Sequence, residues 1–467
     1  MTSSHSPVSP APFEDLLPST ERALLHRIAV AQSEGRVPSL VAAVVRDGRM
    51  VWSGSRTSVD GHGPDADVQY RIGSITKTFT AVLVLRLRDE GLLDLDDPLE
   101  KHLPGTLAGG ATIAQLLSHT AGLAAESPAP WWERTPGHLR PELSDVLGDE
   151  PHLHPAGRVH HYSNPGYTLL GSLVEAVRGV PWEEALRTEI LEPLSMDRTT
   201  MRPEHPHAGG WAVHPWADVM LAEPSEDLGL MAPAGQLWST AADLCRFAAF
   251  LAAGDERVLS AASVADMRTP AVAPEVGSWD GGYGLGMQLN RNAGRELAGH
   301  TGSLPGFVAT LWVSVADGVA VVVLANATSG LAVGALGADL VRIVAEAEPR
   351  FPEPWRPLPE ANEALLALTG PWYWGTHAYG LRLTADAGVA LAPLRGTGRA
   401  ARFEAAADGS WVGLDGYYQG ETLRVVRRPD GVVSHLELGS FVFTREPYGP
   451  DAAAVPGGVD PEGWRGI

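Results

Sequence analysis

The chain of 467 residues has one cysteine, Cys245, and two lysines, Lys77 and Lys101. A single thiol excludes an internal disulfide framework. Cys245 lies in the apolar, helix-patterned stretch STAADLCRFAAFL and reads as a buried core residue. No stretch reaches about 18 uncharged apolar residues, so no membrane-spanning helix is expected. MTSSHSPVSPAPFEDLLPST shows neither a basic patch nor an apolar core, so no secretory signal is expected and a cytoplasmic location is. Positive charge is scarce, 35 Lys and Arg against 56 Asp and Glu, for a net charge of -21. That field repels nucleic acid and anionic membrane surfaces, so neither is expected as a partner. It suits cationic, neutral or carried substrates.

Metal-ligand patterns are also missing. His152, His154, His160 and His161 crowd together in PHLHPAGRVHHYSN, but no acidic or cysteine partner sits at standard ligand spacing. No metal and no other cofactor is expected.

The periodicities that are present divide the chain. Residues 21–36 read as helical, and SLVAAVVRDGRMVWSG reads as a hairpin turning at Asp47-Gly48. Helical runs follow at 74–91, 165–178, 181–190 and 240–253. FVATLWVSVADGVAVVVLANA is a second hairpin, turning at Asp317-Gly318, and its second arm is apolar throughout, as in a buried central strand. A helix is expected at about 331–347. Hairpins at both ends with helices between them predict an α+β fold, an antiparallel sheet flanked by helices. EPRFPEPWRPLPEANE is a proline-rich linker. Beyond it, YGLRLTA, GVALAPL, ARFEAA, GSWVGL, ETLRVVRR, GVVSHLELG and SFVFTRE are short strands separated by Gly/Asp turns, the pattern of a small antiparallel β-barrel. Trp372, Tyr373 and Trp374 ahead of them are expected to plug it. The expected divisions are a flexible leader (1–20), a main domain (21–350), a linker (351–360), a barrel (361–449) and a flexible tail (450–467).

RIGSITKTFTA places Ser74 and Lys77 three residues apart at the start of a helical run, hence on one face. A serine hydroxyl is a poor nucleophile until a base takes its proton, and a lysine of depressed pKa can be that base. Alone, the pair is equally a capped helix with a solvated lysine. Two further stretches follow in order, each at an element boundary: HHYSNPGYTLLG, with Tyr162 and Asn164, and AGHTGSLPGF, with His300, Thr301, Gly302 and Ser303.

With these and with LLSHTAGL, LEPLSMDRTT, PAGQLWSTAADLCRF and GGYGLGMQL, residues from about 20 to 348 resemble the serine β-lactamase and penicillin-binding-protein superfamily. The closest branch is the class C-like one, with its D-aminopeptidases, esterases and stand-alone penicillin-binding-protein-type thioesterases. The resemblance implies a β-lactamase/transpeptidase-like fold with an all-helical subdomain. It implies Ser74 as nucleophile, Lys77 as proton acceptor, Tyr162 as general base and acid, and Asn164 as partner of Lys77 and of the acyl group. Lys77 charge is expected to lower the Tyr162 pKa. Backbone N–H groups of Ser74 and Ser303 form the implied oxyanion hole, and Gly302 lets substrate lie close to the strand. Thr301, Gly235 and Gln236 are implied substrate neighbours, and Trp131 and Trp132 implied walls of an apolar pocket. His300 departs from the lysine found there in many β-lactamases, which weakens binding of a substrate carboxylate.

The implied function is that of a serine acyl-enzyme. The first expectation is a thioesterase that takes a peptidyl thioester from a carrier-protein domain of a nonribosomal peptide synthetase and releases it as a head-to-tail macrocycle. The alternative is a cytoplasmic esterase or D-stereospecific aminopeptidase. A β-lactamase and a non-catalytic binding protein rank behind. The C-terminal region resembles the lipocalin-like appendages of the thioesterase relatives.

Overall fold

A computed structural model describes residues 16–59, 63–272, 280–352, 354–358, 360, 362–385 and 388–449. Residues 1–15 of the expected leader and the expected tail lie outside the described residues. The chain divides into two units, Met1–Arg350 and Phe351–Ile467.

The first unit is built on a seven-stranded antiparallel sheet. Its strands are β1 (Ser39–Arg46), β2 (Arg49–Thr57), β3 (Gly281–Tyr283), β4 (Gln288–Asn292), β5 (Arg295–Leu304), β6 (Phe307–Ser314) and β7 (Val319–Ala325), in the order β2-β1-β7-β6-β5-β4-β3. Both expected hairpins form. Asp47 and Gly48 both take positive φ, 48° and 79°, the two-residue turn that matches strand twist. Central β7 is buried at every residue. Its alternation sorts the two cores: Ala320, Val322 and Leu324 join one cluster, Val319, Val321, Val323 and Ala325 the other. The second cluster includes α1 (Pro18–Glu34).

Helices between β2 and β3 form the helical part. Those that matter here are α2 (Thr76–Asp89), α3 (Asn164–Arg178) and α4 (Ala241–Ala253); α5 (Val333–Ala347) follows β7. Ser163 caps α3 by accepting the Gly166 N–H at 3.1 Å, Pro165 occupies its first turn, and Gly179 ends it at φ 71°. Cys245 is buried in α4, and burial pushes its thiol up to about 12. Among the described residues no helix is long and apolar enough to cross a membrane.

The second unit is a nearly closed eight-stranded antiparallel barrel with strands in sequence order. The sequence pattern revealed seven of these. The eighth is the first in the chain, β8 (Gly370–Trp374), disguised by Pro371 and a run of aromatics. Proline is tolerated at a sheet edge. Closure is carried by two bonds, Tyr373 N–H to the Thr444 carbonyl (2.8 Å) and Thr444 N–H to the Tyr373 carbonyl (2.9 Å). Side-chain alternation turns Tyr373 to the face opposite Trp372 and Trp374, and of those two only Trp372 plugs the barrel, Trp374 being the last residue of the strand. Trp372 is fully buried and donates to the Leu368 carbonyl at 2.8 Å, whereas Trp374 is 43% exposed. Trp372 shares the interior with Phe403, Trp411, Leu436 and Phe443. Trp372→Ala is expected to cost this unit about 3–5 kcal/mol, and Trp374→Ala about 0.5 kcal/mol or less. Urea unfolding of the two variants, followed by tryptophan fluorescence and circular dichroism, checks the contrast.

Candidate active site

The approach to Ser74 is set by two glycines. Gly73 turns the chain at φ 52° into a 3₁₀ turn, Gly73–Ile75, that feeds α2. A Cβ on Gly73 would lie 2.7 Å from the Ser303 amide nitrogen, and one on Gly302 would lie 1.9 Å from the Ile72 carbonyl and 3.1 Å from the Ser74 amide nitrogen. The backbone before α2 therefore lies directly against β5, with the N–H groups of Ser74 and Ser303 beside one another. Two adjacent backbone donors are what a developing oxyanion requires.

One helical turn beyond Ser74, Lys77 is completely buried. Its Nζ donates to Asn164 Oδ1 (2.7 Å), to the Ala234 carbonyl (2.8 Å) and to Ser74 Oγ (2.9 Å). Three donors thus meet three acceptors. Burial pulls the Lys77 pKa down to about 7, against the opposing pull of the Glu126 and Glu133 charges. As a neutral amine, Lys77 offers its lone pair to the Ser74 hydroxyl over the same contact.

Tyr162 bonds to Ser74 from the other side, and its proton stays on. Burial raises this phenol well above its usual range, more than the Ser74 hydrogen bond lowers it. The expectation that Lys77 depresses it is corrected here. Lys77 Nζ lies over the ring, 5.0 Å from its centroid, and the cost of burying a phenolate outweighs its charge. Near neutrality Lys77 is the proton acceptor of the pair, and Tyr162 is a donor or relay.

A cleft of about 480 Å³ opens over Ser74. Tyr162, Asn164, Trp132, Gly235, Thr301, Gly302 and Ser303 line it as expected, together with three residues the sequence did not suggest: Glu126, Glu133 and Gln288. Glu126 accepts from Asn164 Nδ2 (2.9 and 3.0 Å) and from Trp132 Nε1 (2.6 Å), fixing the amide that faces Lys77. Gln288 Oε1 accepts from the Thr301 N–H and hydroxyl, both at 3.1 Å. Burial raises the Glu133 carboxyl. Among the described residues lining the cleft there is no Lys or Arg. A second hollow of about 390 Å³ shares Tyr162, Gln288 and Thr301 with it.

Three expected site residues sit elsewhere. Trp131 is 55% exposed, its Nε1 donating to Glu133 at 2.8 Å, because it faces away from its buried neighbour Trp132. Gln236 is buried and structural, accepting from the Leu228 N–H (2.9 Å) and Arg71 Nη2 (3.2 Å) and donating to the Met201 carbonyl (2.7 Å). His300 is 1% exposed and lies behind the cleft, on Tyr283. His119, unsuspected from sequence apart from its place in LLSHTAGL, packs on the Tyr162 ring at 4.1 Å. The histidines of PHLHPAGRVHHYSN make no metal cluster: among the described residues no group of three or more His, Cys, Asp or Glu is placed to hold an ion.

The family model that describes beta-lactamases matches residues 20–346. The chain belongs to the beta-lactamase family. A model for a domain of unknown function matches residues 361–445. Penicillin-binding protein 4 of Amycolatopsis lactamdurans is 31% identical over 328 residues, 64% of this chain and 84% of its own. Among solved structures, a D-stereospecific amidohydrolase from Streptomyces sp. is 30% identical, with a TM-score of 0.57 over 70% of this chain and 97% of its own. SurE is 25% identical, with a TM-score of 0.57 over 92% of this chain and 99% of its own. Both the superfamily and the fold expected from sequence are thereby established, and with them the coarse activity of a serine hydrolase or acyltransferase.

The arrangement makes turnover depend on neutral Lys77. With its pKa lowered to about 7, the amine is protonated and inactive as a base below that pH and free above it. The rate of acylation is therefore expected to rise with pH through about 7. Lys77→Arg, which cannot deprotonate, is expected to lose about a hundredfold or more while remaining folded. Burst kinetics with an activated ester, alongside circular dichroism, check both.

Proposed function

We propose that this protein is a serine acyl-enzyme that acts on esters, amides or thioesters of an acyl group carrying a free amine. The observation that carries the reading is the sign of the cleft. Two carboxylates, Glu126 and Glu133, flank Ser74, and no described lining residue is cationic. A substrate ammonium finds partners there, and a substrate carboxylate finds none. That disfavours β-lactam hydrolysis.

In this reading Ser74 Oγ attacks the carbonyl carbon as its proton passes to Lys77. The oxyanion rests on the Ser74 and Ser303 N–H groups. Tyr162 gives its hydroxyl proton to the leaving group as the carbonyl–heteroatom bond breaks, and recovers one from Lys77. Water then attacks acyl-Ser74, losing its proton to the same pair, which passes it to Ser74 Oγ as the acyl–oxygen bond breaks and the acid departs. An amine held by carboxylates is an ammonium with no free lone pair, so water is the favoured acceptor.

The second reading is release by head-to-tail cyclisation of a carrier-bound peptide. It is favoured by the likeness to SurE, which runs through both units, whereas the likeness to the amidohydrolase covers 70% of the chain. Here the peptide's own amine must shed its proton to the Lys77–Tyr162 pair before attacking.

A short peptide activated as a C-terminal thioester, with a D- or L-residue at that end, separates the two. Linear acid alone, absent with Ser74→Ala, supports the hydrolase; a product lighter by one water supports the cyclase. No Ser74-dependent product from any ester or thioester overturns both. Glu133→Gln is expected to raise KM about tenfold for amine-bearing esters and to leave the KM of acetyl esters unchanged. An equal effect on both classes removes the amine from the reading.

A further inference from the structure

Behind Tyr162, three buried side chains that the mechanism does not use form a continuous path. The Ser163 N–H donates to His119 Nδ1 at 3.0 Å. His119 Nε2 is 3.1 Å from the Tyr283 hydroxyl, which is 3.0 Å from His300 Nε2. His300 Nδ1 is 2.5 Å from the Thr301 carbonyl. All three side chains are at most 2% exposed.

The ends of this path dictate its protons. A backbone N–H can only donate, so His119 Nδ1 carries a lone pair and the neutral ring is protonated at Nε2. That N–H points at the Tyr283 oxygen. At the far end a carbonyl can only accept, so His300 is protonated at Nδ1 and its Nε2 accepts. The Tyr283 hydroxyl supplies the one hydrogen needed between the rings. Each donor then has one acceptor, and an added proton would face another N–H or O–H.

The path joins opposite walls of the cleft. His119 grips the Tyr162 loop twice, through the Ser163 N–H and through its own carbonyl, which accepts the His161 N–H at 2.8 Å. Its ring lies 4.1 Å from that of Tyr162, tilted by 34°. It does so from φ 58°, a left-handed backbone that is strained for any residue but glycine and that clusters at functional sites. His300 lies on β5, beside the Thr301–Ser303 segment of the oxyanion wall. Tyr283, on edge strand β3, bridges them.

We propose that His119 and Tyr283 are positioning residues: with His300 they form a proton-locked chain that fixes the Tyr162 ring relative to the oxyanion strand. The chain keeps both imidazoles neutral. The groups facing it are Lys77 from α2, Tyr167 from α3, and His160, His161 and Tyr162 from the loop before α3. Tyr167 donates its hydroxyl proton to the Leu117 carbonyl at 2.9 Å, and its hydroxyl also meets that of Tyr283. Burial first, and then the Lys77 charge, holds His119 well below its usual range and His300 down to about 3.

Long-range ¹⁵N–¹H correlation spectra of histidine-labelled full-length protein test the chain without any substrate. The expected result at pH 5.5 is a neutral His119 protonated at Nε2 and a neutral His300 protonated at Nδ1. A cationic ring, or either opposite tautomer, overturns the proposal. Tyr283→Phe keeps the ring and removes the central hydroxyl. With p-nitrophenyl acetate it is expected to lower kcat about tenfold or more with KM within about twofold. Unchanged kcat overturns the positioning role, as does a rise in KM that matches the loss in kcat; loss of thermal stability alone makes the path merely structural and overturns it too. If Tyr283→Phe does not fold, the wild-type spectra still decide. The kinetic arm rests on Ser74 as nucleophile, and Ser74→Ala keeps the two apart: turnover that survives it sinks the function proposed above while the spectra still test the chain.

Discussion

The constraint on which the site depends is the burial of the Lys77 amine. A cation taken fully out of water is unfavourable unless every N–H finds an acceptor. The three acceptors come from three places in the chain: Ser74 at the head of the same helix, Asn164 at the first turn of α3, and the Ala234 carbonyl from the short helix Ala232–Gly235. Convergence on one nitrogen therefore fixes the relation of α2, α3 and the 232–235 segment, and Glu126 extends it by orienting the Asn164 amide. Partial compensation is also what makes the amine useful. Hydrogen bonds and nearby carboxylates hold some affinity for the proton, desolvation removes the rest, and the balance lies near neutrality.

A second constraint is close approach of backbone. Gly73 and Gly302 bring the loop before α2 onto β5 at a separation that a methyl group on either would prevent. The nucleophile and one oxyanion donor thus come from the helical side, and the other donor comes from the sheet. The fold's long-range order is translated into a spacing between two amides, and the buried chain through His119, Tyr283 and His300 ties the same two sides together from beneath.

What could be read from sequence was whatever local spacing encodes. Ser74 and Lys77 share a helical face, Tyr162 and Asn164 flank a helix cap, and Asp-Gly turns between alternating strands announce both hairpins. What escaped was set by direction or by distance along the chain. Trp131 and Trp132 look alike as a pair, yet one faces solvent and the other the cleft. Gln236 adjoins Gly235 and turns its amide into the fold to hold the Leu228 N–H and Arg71. Glu126 and Gln288 reach the cleft from loops and strands far from Ser74 in sequence. The Tyr162 phenol was misjudged because its pKa is set first by the burial of its hydroxyl, which no spacing reveals. Strand β8 was hidden by Pro371, which is compatible with a strand at a barrel seam but removes the usual signal.

The acidic lining has a consequence for the base. Glu126 and Glu133 are the charges that raise Lys77 against the pull of desolvation. An ammonium held between them offsets those charges, so Lys77 binds its proton less tightly when an amine-bearing substrate is in place. An acyl donor without an amine leaves the carboxylates uncompensated and the lysine more fully protonated. On the proposed reading, discrimination between the two falls on the acylation step as well as on binding, since only the first substrate completes the electrostatics of the base that must act on it. On that reading, the cleft's charge and the burial of Lys77 are one device: the carboxylates that would hold the substrate amine also set the proton affinity of Lys77.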